Sequence, residues 1–126
     1  FIKTGIIIYD GFVTDVNQQI SNSAVFILPS YYREGVPRST QEAMAIGRPV
    51  ITTDVPGCKE TVIEGVTGFL IPKWNVDALV EKMIYFIKYP EQVNVMGYQG
   101  FLYAKKNFNA DLINYRLLKI IGINQL

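Results

Sequence analysis

The stretches Ala24-Val25-Phe26-Ile27-Leu28-Pro29-Ser30 and Ser39-Thr40-Gln41-Glu42-Ala43-Met44-Ala45-Ile46-Gly47-Arg48-Pro49-Val50-Ile51-Thr52-Thr53-Asp54 decide how this chain folds. The first is an unbroken apolar run stopped by a proline, the pattern of a short strand buried on both faces. The second begins as a helix from Ser39 to Ile46 and ends on Gly47 and then Pro49, the order of a helix stop. Ala43 and Ala45 are small enough to let that helix lie close to a sheet. Residues 49–54 are β-branched and form the next strand. A strand, a crossover helix and a second strand are the unit of a parallel sheet, because parallel neighbours cannot be joined by a tight turn.

The alternation continues outward from this unit. Upstream, Ile6-Ile7-Ile8-Tyr9, Asp10-Gly11 and Phe12-Val13 read as one or two short strands around a turn. Residues 15–23 read as a helix with Asp15 at its N-cap and Val16 and Ile20 on one side. Downstream, Gly68-Phe69-Leu70-Ile71-Pro72 is a short strand. Residues 76–88 carry Val76, Leu79, Val80, Met83, Ile84 and Ile87 on one helical stripe, with Asn75 as N-cap, Asp77 in the first turn and Lys88 in the last. Pro90 opens a further helix on Val93, Met96, Gly97, Gly100 and Ala104, and Asn109 restarts a last one on Ile113, Leu117 and Ile120. The expected fold is α/β: a Rossmann-like parallel sheet flanked by helices, in one domain without internal repeat or linker.

Composition excludes several chemistries. Of 126 residues, 49% are hydrophobic and 18% charged, enough for a packed core. Lys and Arg number 12 against 11 acids, a net charge of +1 without the excess base that tracks phosphates, so nucleic acid is not an expected partner. The chain has no histidine, and therefore no Ser-His-Asp triad, His general base or His-ligated zinc. One cysteine, Cys58, excludes an intramolecular disulfide and a cysteine cluster and fits a reducing compartment. No run approaches the ~18 apolar residues of a membrane-spanning helix. Phe1 follows neither Met nor a signal-like leader and is read as an internal boundary.

Ligands of open parallel sheets bind outside the carboxyl ends of the strands. That rule points to the loop from Pro29 through Tyr31-Tyr32-Arg33-Glu34-Gly35-Val36-Pro37-Arg38 into Ser39-Thr40-Gln41-Glu42. A helix N-terminus offers unpaired N–H groups and a positive dipole end to a phosphate, and Gly35 admits close backbone approach. Glu34 and Glu42, spaced E-x7-E, are far enough apart to reach different parts of one elongated ligand. A structural reading stands beside this one: Ser39-x-x-Glu42 is also a capping box, Glu34 a solvated loop acid and Gly35 a turn residue. Spacing alone leaves both open.

The run from Ser30 to Ile51, continued by Asp54-Val55-Pro56-Gly57-Cys58-Lys59-Glu60-Thr61-Val62-Ile63, Gly65-Val66-Thr67-Gly68-Phe69-Leu70-Ile71-Pro72 and Asp77-Ala78-Leu79, resembles glycosyltransferase family 4. These are retaining enzymes built from two Rossmann-like domains, and the resemblance covers residues 11–108. It implies that Glu34 faces hydroxyls of the donor sugar at the catalytic centre, without acting as a nucleophile, and that Glu42 binds the ribose hydroxyls. It places the backbone of Gly35, Val36, Pro37 and Arg38 beside the sugar and diphosphate, and Ser39 and Thr40 on phosphate oxygens. It implies no cofactor and no metal, since a helix dipole and cationic side chains offset the leaving diphosphate; the chain has no Asp-x-Asp motif.

The sequence departs from the family in lacking the Gly-rich segment with its Arg and Lys, and the acceptor-binding N-terminal half. The expectation is therefore an N-terminally truncated half of a two-domain enzyme, inactive alone. Residues 1–108 form a partial donor-binding domain, and residues 109–126 a C-terminal helix that packs on the missing N-terminal domain. The wording Glu34-Gly35-Val36-Pro37-Arg38-Ser39 is similar to bacterial enzymes of capsular polysaccharide and lipopolysaccharide O-antigen synthesis. By that resemblance the donor is a nucleotide-diphosphate sugar, UDP-linked, and the acceptor a lipid-linked saccharide. The location is cytoplasmic, with peripheral association at the inner face of the membrane. The alternatives are a non-catalytic Rossmann-like binding module and a nucleotide-sugar 2-epimerase.

Several other residues carry paired readings. Glu60 either approaches the donor or is a helix-start acid, and Arg38 either contacts an anion or lies on the surface, with Arg33 a weaker candidate. Cys58 reads as a small turn residue, and Trp74 as packing over the following helix. Tyr31 and Tyr32 stack on a base or line the acceptor cleft, with one of them in the core. The last helix, with Lys105 and Lys106 before it and Arg116 and Lys119 within it, reads as basic and amphipathic. The open sheet edge predicts self-association.

Overall fold

The computed structural model describes residues 1–33 and 35–120. Its sheet has three parallel strands in the order β1 (Phe26–Leu28), β2 (Val50–Thr53) and β3 (Gly68–Ile71). Phe26 lies beside Val50 and Leu28 beside Thr52, while Val50 pairs with Gly68 and Thr53 with Ile71. The five α-helices are α1 (Val16–Asn22), α2 (Arg38–Ala45), α3 (Val76–Lys88), α4 (Glu91–Asn107) and α5 (Ala110–Ile120).

β2 is the centre of the molecule, and all four of its residues are buried. Its alternating side chains divide the core, as the period of a strand requires. Val50 packs with Ile20 of α1, Ala43 and Met44 of α2, Ala104 of α4 and, from the segment before β3, Val62. Ile51 packs with Phe69 and Ile71 of β3, Phe86 of α3 and Met96 of α4. The run expected to be buried on both faces is β1, yet its three residues are only half-buried. β1 stands at the end of the strand order, and β2 takes the central place.

The local signals act largely as the residues dictate. Asp15 caps α1 by accepting from the Gln18 N–H at 3.0 Å, and Asn75 caps α3 by accepting from the Ala78 N–H at 2.9 Å. α2 stops where Gly47 takes φ +84°, with the Gly47 N–H donating to the Met44 carbonyl and the Arg48 N–H to the Ala43 carbonyl. This is the Schellman arrangement, which needs a left-handed residue. Ala43 is fully buried against the sheet, whereas Ala45 faces solvent.

Two expectations are corrected. Residues 6–9 form no strand: Ile6 and Ile8 are 73% and 78% exposed, and the Gly5 and Ile7 N–H groups turn back to the carbonyls of Ile2 and Phe1. β-branched residues make a strand only beside a hydrogen-bonding neighbour, and in the described residues this segment bonds to itself. The aliphatic stripe of α3 is split: Leu79 is half-buried against the cluster around Phe69, whereas Val76 and Ile87 point outward, 69% and 76% exposed. Beside Leu79, α3 is anchored by Phe86, whose ring centroid lies 5.7 Å from that of Phe69, and by Tyr85, edge-on to Phe69 at 4.9 Å. Aromatic rings bury more area than aliphatic chains, and they set the rotation of the helix.

Candidate functional site

Two buried hydroxyls fix the way the chain leaves β1. Thr52 Oγ1 donates to the Leu28 carbonyl at 2.8 Å, and Thr53 Oγ1 donates to the Ser30 carbonyl. The chain then runs over the carboxyl end of the sheet through Tyr31, Tyr32 and Arg33, all exposed. Glu34, assigned to the donor sugar, lies outside the described residues. Gly35 and Val36 are exposed, and a Cβ on Gly35 would meet nothing within 4 Å, so its backbone is open to a ligand. The Val36 carbonyl accepts from Gln41 Nε2 at 3.2 Å.

Pro37 is buried at the N-cap of α2 with φ −61°, and no side chain caps the helix there. The expected capping box between Ser39 and Glu42 is not formed. α2 begins one residue earlier, at Arg38, so Ser39 sits inside the first turn. Glu42 turns instead to Arg38, Oε1 to Nε at 3.6 Å. The uncapped first turn directs backbone N–H groups off the end of the helix. Thr40 is fully buried and its hydroxyl donates to the Pro37 carbonyl at 2.8 Å, which commits its proton inside the fold. Ser39 is half-buried.

Arg38 and Glu42 open onto a cavity of about 380 Å³ that α4 closes with Phe101 and Lys105, and Phe108 beyond it. Arg38 is 92% exposed and Glu42 41% exposed. An exposed pair of this kind contributes only ~0–1 kcal/mol, so little holds Glu42 to Arg38.

A second cavity, of about 650 Å³, lies at the carboxyl ends of β2 and β3, lined among others by Tyr31, Arg33, Asp54 and Lys73. Sequence reasoning missed Asp54 and Lys73, although the strand-end rule, applied to residues 49–54 and 68–72 as it was to 24–28, leads to them. Neither Tyr31 nor Tyr32 belongs to the core; their rings meet at 4.1 Å, and Trp74 stacks on Tyr31 at 4.3 Å rather than over the following helix. The hydrogen bond Tyr31 donates to the Tyr32 hydroxyl at 2.8 Å, and then partial burial, raise the Tyr31 phenol above its ordinary value of 10.0. Glu60 lies in a short 3-10 helix, Lys59–Thr61, and is its helix-start acid, its Oε2 accepting from the Gly57 N–H at 2.6 Å; Cys58 is buried just before it. Among the described residues no group of three or more His, Cys, Asp or Glu side chains converges, and no helix is long and apolar enough to cross a membrane.

The profile of the family described as "Glycosyl transferases group 1" matches residues 4–103, which include the whole strand-end loop, α2 and the first turns of α4. The chain belongs to that family. Among curated relatives, it is 34% identical over 101 residues to the capsular polysaccharide biosynthesis glycosyltransferase CapM of Staphylococcus aureus, covering 80% of this chain and 26% of the relative. It is 28% identical over 120 residues to the N,N'-diacetylbacillosaminyl-diphospho-undecaprenol alpha-1,3-N-acetylgalactosaminyltransferase of Campylobacter jejuni, covering 95% and 31%. Among solved structures, Anabaena HepE in complex with UDP superposes with a TM-score of 0.89 at 23% identity, over 94% of this chain and 33% of that one. Sucrose-phosphate synthase from Thermosynechococcus elongatus gives 0.77 at 31% identity, over 82% and 26%.

The group 1 chain thus spans about a quarter to a third of the length of these relatives. Its α/β architecture, a parallel sheet flanked by helices, is that of the two-Rossmann-domain glycosyltransferases.

Proposed function

We propose that the chain is the donor-binding part of a retaining glycosyltransferase of family 4. The enzyme would move a hexose or N-acetylhexosamine from a UDP-linked donor to an acceptor hydroxyl in bacterial surface polysaccharide synthesis. The observation that carries the reading is the strand-end loop, open to solvent at Gly35 and Val36, which runs through the buried Pro37 into the uncapped N-terminus of α2 with Glu42 one turn further on. A relative in capsular polysaccharide biosynthesis and a UDP-bound structural neighbour support it.

In this reading the diphosphate lies against the first-turn N–H groups of α2, where the helix dipole favours an anion. Glu42 leaves Arg38 and accepts the two ribose hydroxyls, and ionised acceptors make the stronger hydrogen bonds. Arg38 is then free to face the phosphates. Glu34 holds hydroxyls of the sugar. The acceptor oxygen attacks the anomeric carbon on the face the diphosphate leaves; the C1–O bond breaks with its electrons on the diphosphate, which takes the acceptor's proton. No metal, cofactor or enzyme nucleophile enters this scheme. The acceptor, a lipid-linked saccharide, would be held with the other part of the enzyme, on which α5 would pack. In this reading the reaction runs in the cytoplasm, at the inner face of the membrane.

Ligand-observed NMR of the chain with UDP, GDP, ADP and UDP-N-acetylglucosamine tests the assignment. Binding selective for the uridine ligands is expected, weakened ~10–100-fold in Glu42→Ala, the loss of a charged hydrogen bond. Equal binding of all four overturns the uridine assignment, and an unaffected Glu42→Ala overturns the ribose contact. Transfer by the full-length enzyme with inverted anomeric configuration would refute retention, and its absence with any nucleotide sugar would favour a non-catalytic module or an epimerase.

A further inference from the structure

The Val36–Pro37 peptide, at the mouth of α2, can only repel an anion. Proline carries no N–H, so this peptide offers the Val36 carbonyl oxygen, the negative end of its dipole, and nothing to set against it. Gln41 holds that oxygen. Its Nε2 donates to the Val36 carbonyl at 3.2 Å, the orientation the contact requires, since Oε1 would set oxygen against oxygen. The next carbonyl, that of Pro37, accepts from the Thr40 hydroxyl at 2.8 Å and from the Gln41 N–H at 3.4 Å. Two successive carbonyls are thus drawn back onto α2. A trans peptide sets its N–H opposite its C=O, and the peptides here are trans. Drawing the Pro37 carbonyl inward therefore aims the Arg38 N–H outward, off the end of the helix. Gln41 itself is half-buried and lines the cavity that holds Arg38 and Glu42.

We propose that Gln41 is a positioning residue of the donor site: by fastening the Val36 carbonyl to α2 it keeps a repelling dipole off the donor's diphosphate and leaves the first-turn N–H groups to meet it. That the anion is a diphosphate rests on the donor reading above. Gln41 touches neither phosphate nor sugar in this scheme; it acts through the Val36 carbonyl. The residue type suits the role. A glutamine amide supplies a donor without a charge. Glutamate would repel the carbonyl it must hold, and lysine would draw Glu42 to itself and away from the ribose.

Gln41→Met keeps the length and helix propensity of the side chain and removes only the donor; a cooperative urea transition shows that the variant is folded. In the free variant the Val36 carbonyl carbon should resonate upfield of its position in the parent, the direction expected when a carbonyl loses its hydrogen-bond donor. Ligand-observed NMR of the chain with uridine and with UDP then separates two effects. Gln41→Met is expected to weaken UDP ~3–10-fold, the contribution of about one hydrogen bond, and to leave uridine, which has no phosphate, unchanged. Glu42→Ala is expected to weaken both ligands alike. An unmoved Val36 resonance, UDP affinity equal in parent and Gln41→Met, or a loss of uridine as large as that of UDP overturns the proposal and leaves the donor reading standing. UDP weakened in Gln41→Met but not in Glu42→Ala would sink the ribose contact and leave the proposal. A parent that binds neither ligand overturns both.

Discussion

A methyl group on Gly68 would stand 1.8 Å from the Val50 carbonyl oxygen, and one on Gly97 would stand 2.1 Å from the Gly47 carbonyl oxygen. Both clashes are with backbone, which cannot swing aside. Gly68→Ala and Gly97→Ala are each expected to cost ~1–3 kcal/mol or more of stability, the range of overpacked cores, read as a fall in the urea midpoint. The threonine pair at the end of β2 acts by chemistry rather than space. Thr52→Val keeps the shape but removes the donor to the Leu28 carbonyl, and is expected to cost about 1–2 kcal/mol. At the surface, the Tyr31 phenol titrates above the usual tyrosine range because it donates to Tyr32 and then because it is partly covered. A raised value favours the neutral phenol, so this contact is fully present below pH ~10 and is lost as pH rises through the raised value. NMR titration of Tyr31 in Tyr32→Phe should return it toward 10.0.

α3 separates two kinds of apolar surface on one helix. Phe86→Ala, removing a buried ring, is expected to cost ~3–5 kcal/mol, whereas Val80→Glu with Ile84→Lys should stay within about 0.5 kcal/mol per site, as measured by denaturant unfolding. This helix also shows how legible the elements were. Its limits, its Asn75 cap and its charged ends all followed from local residues, because capping and dipole effects reach only one turn. Its facing followed only in part: of the aliphatic stripe Leu79 meets the core, and only the position of Phe69 on β3 reveals why Tyr85 and Phe86 turn the rest outward. The same holds for residues 6–9, whose β-branched residues state a preference that only a neighbouring strand can realise. At the site, the loop and helix around Glu42 were evident from motif and strand-end geometry. The start of α2 at Arg38 was not, and that single residue undoes the capping box and puts Glu42 beside Arg38. Trp74 in a left-handed turn has no sequence signal, since the position favours glycine.

For the molecule as a whole, the unevenness of burial is the dominant property. β1 pairs with β2 on one side, the outer stripe of α3 faces solvent, and α5 has no buried residue at all. These surfaces predict that the chain self-associates, with sedimentation showing an apparent mass that climbs with concentration. A single monomer-mass boundary at the highest attainable concentration would refute that. The opposite extreme is β2, buried at every residue and hydrogen-bonded to strands on both sides. Its amides can meet deuterium only when the sheet parts from helices on both faces, so they should exchange last and report the global unfolding free energy. Those of α5 open without disturbing any packed neighbour, and should be labelled within the first moments.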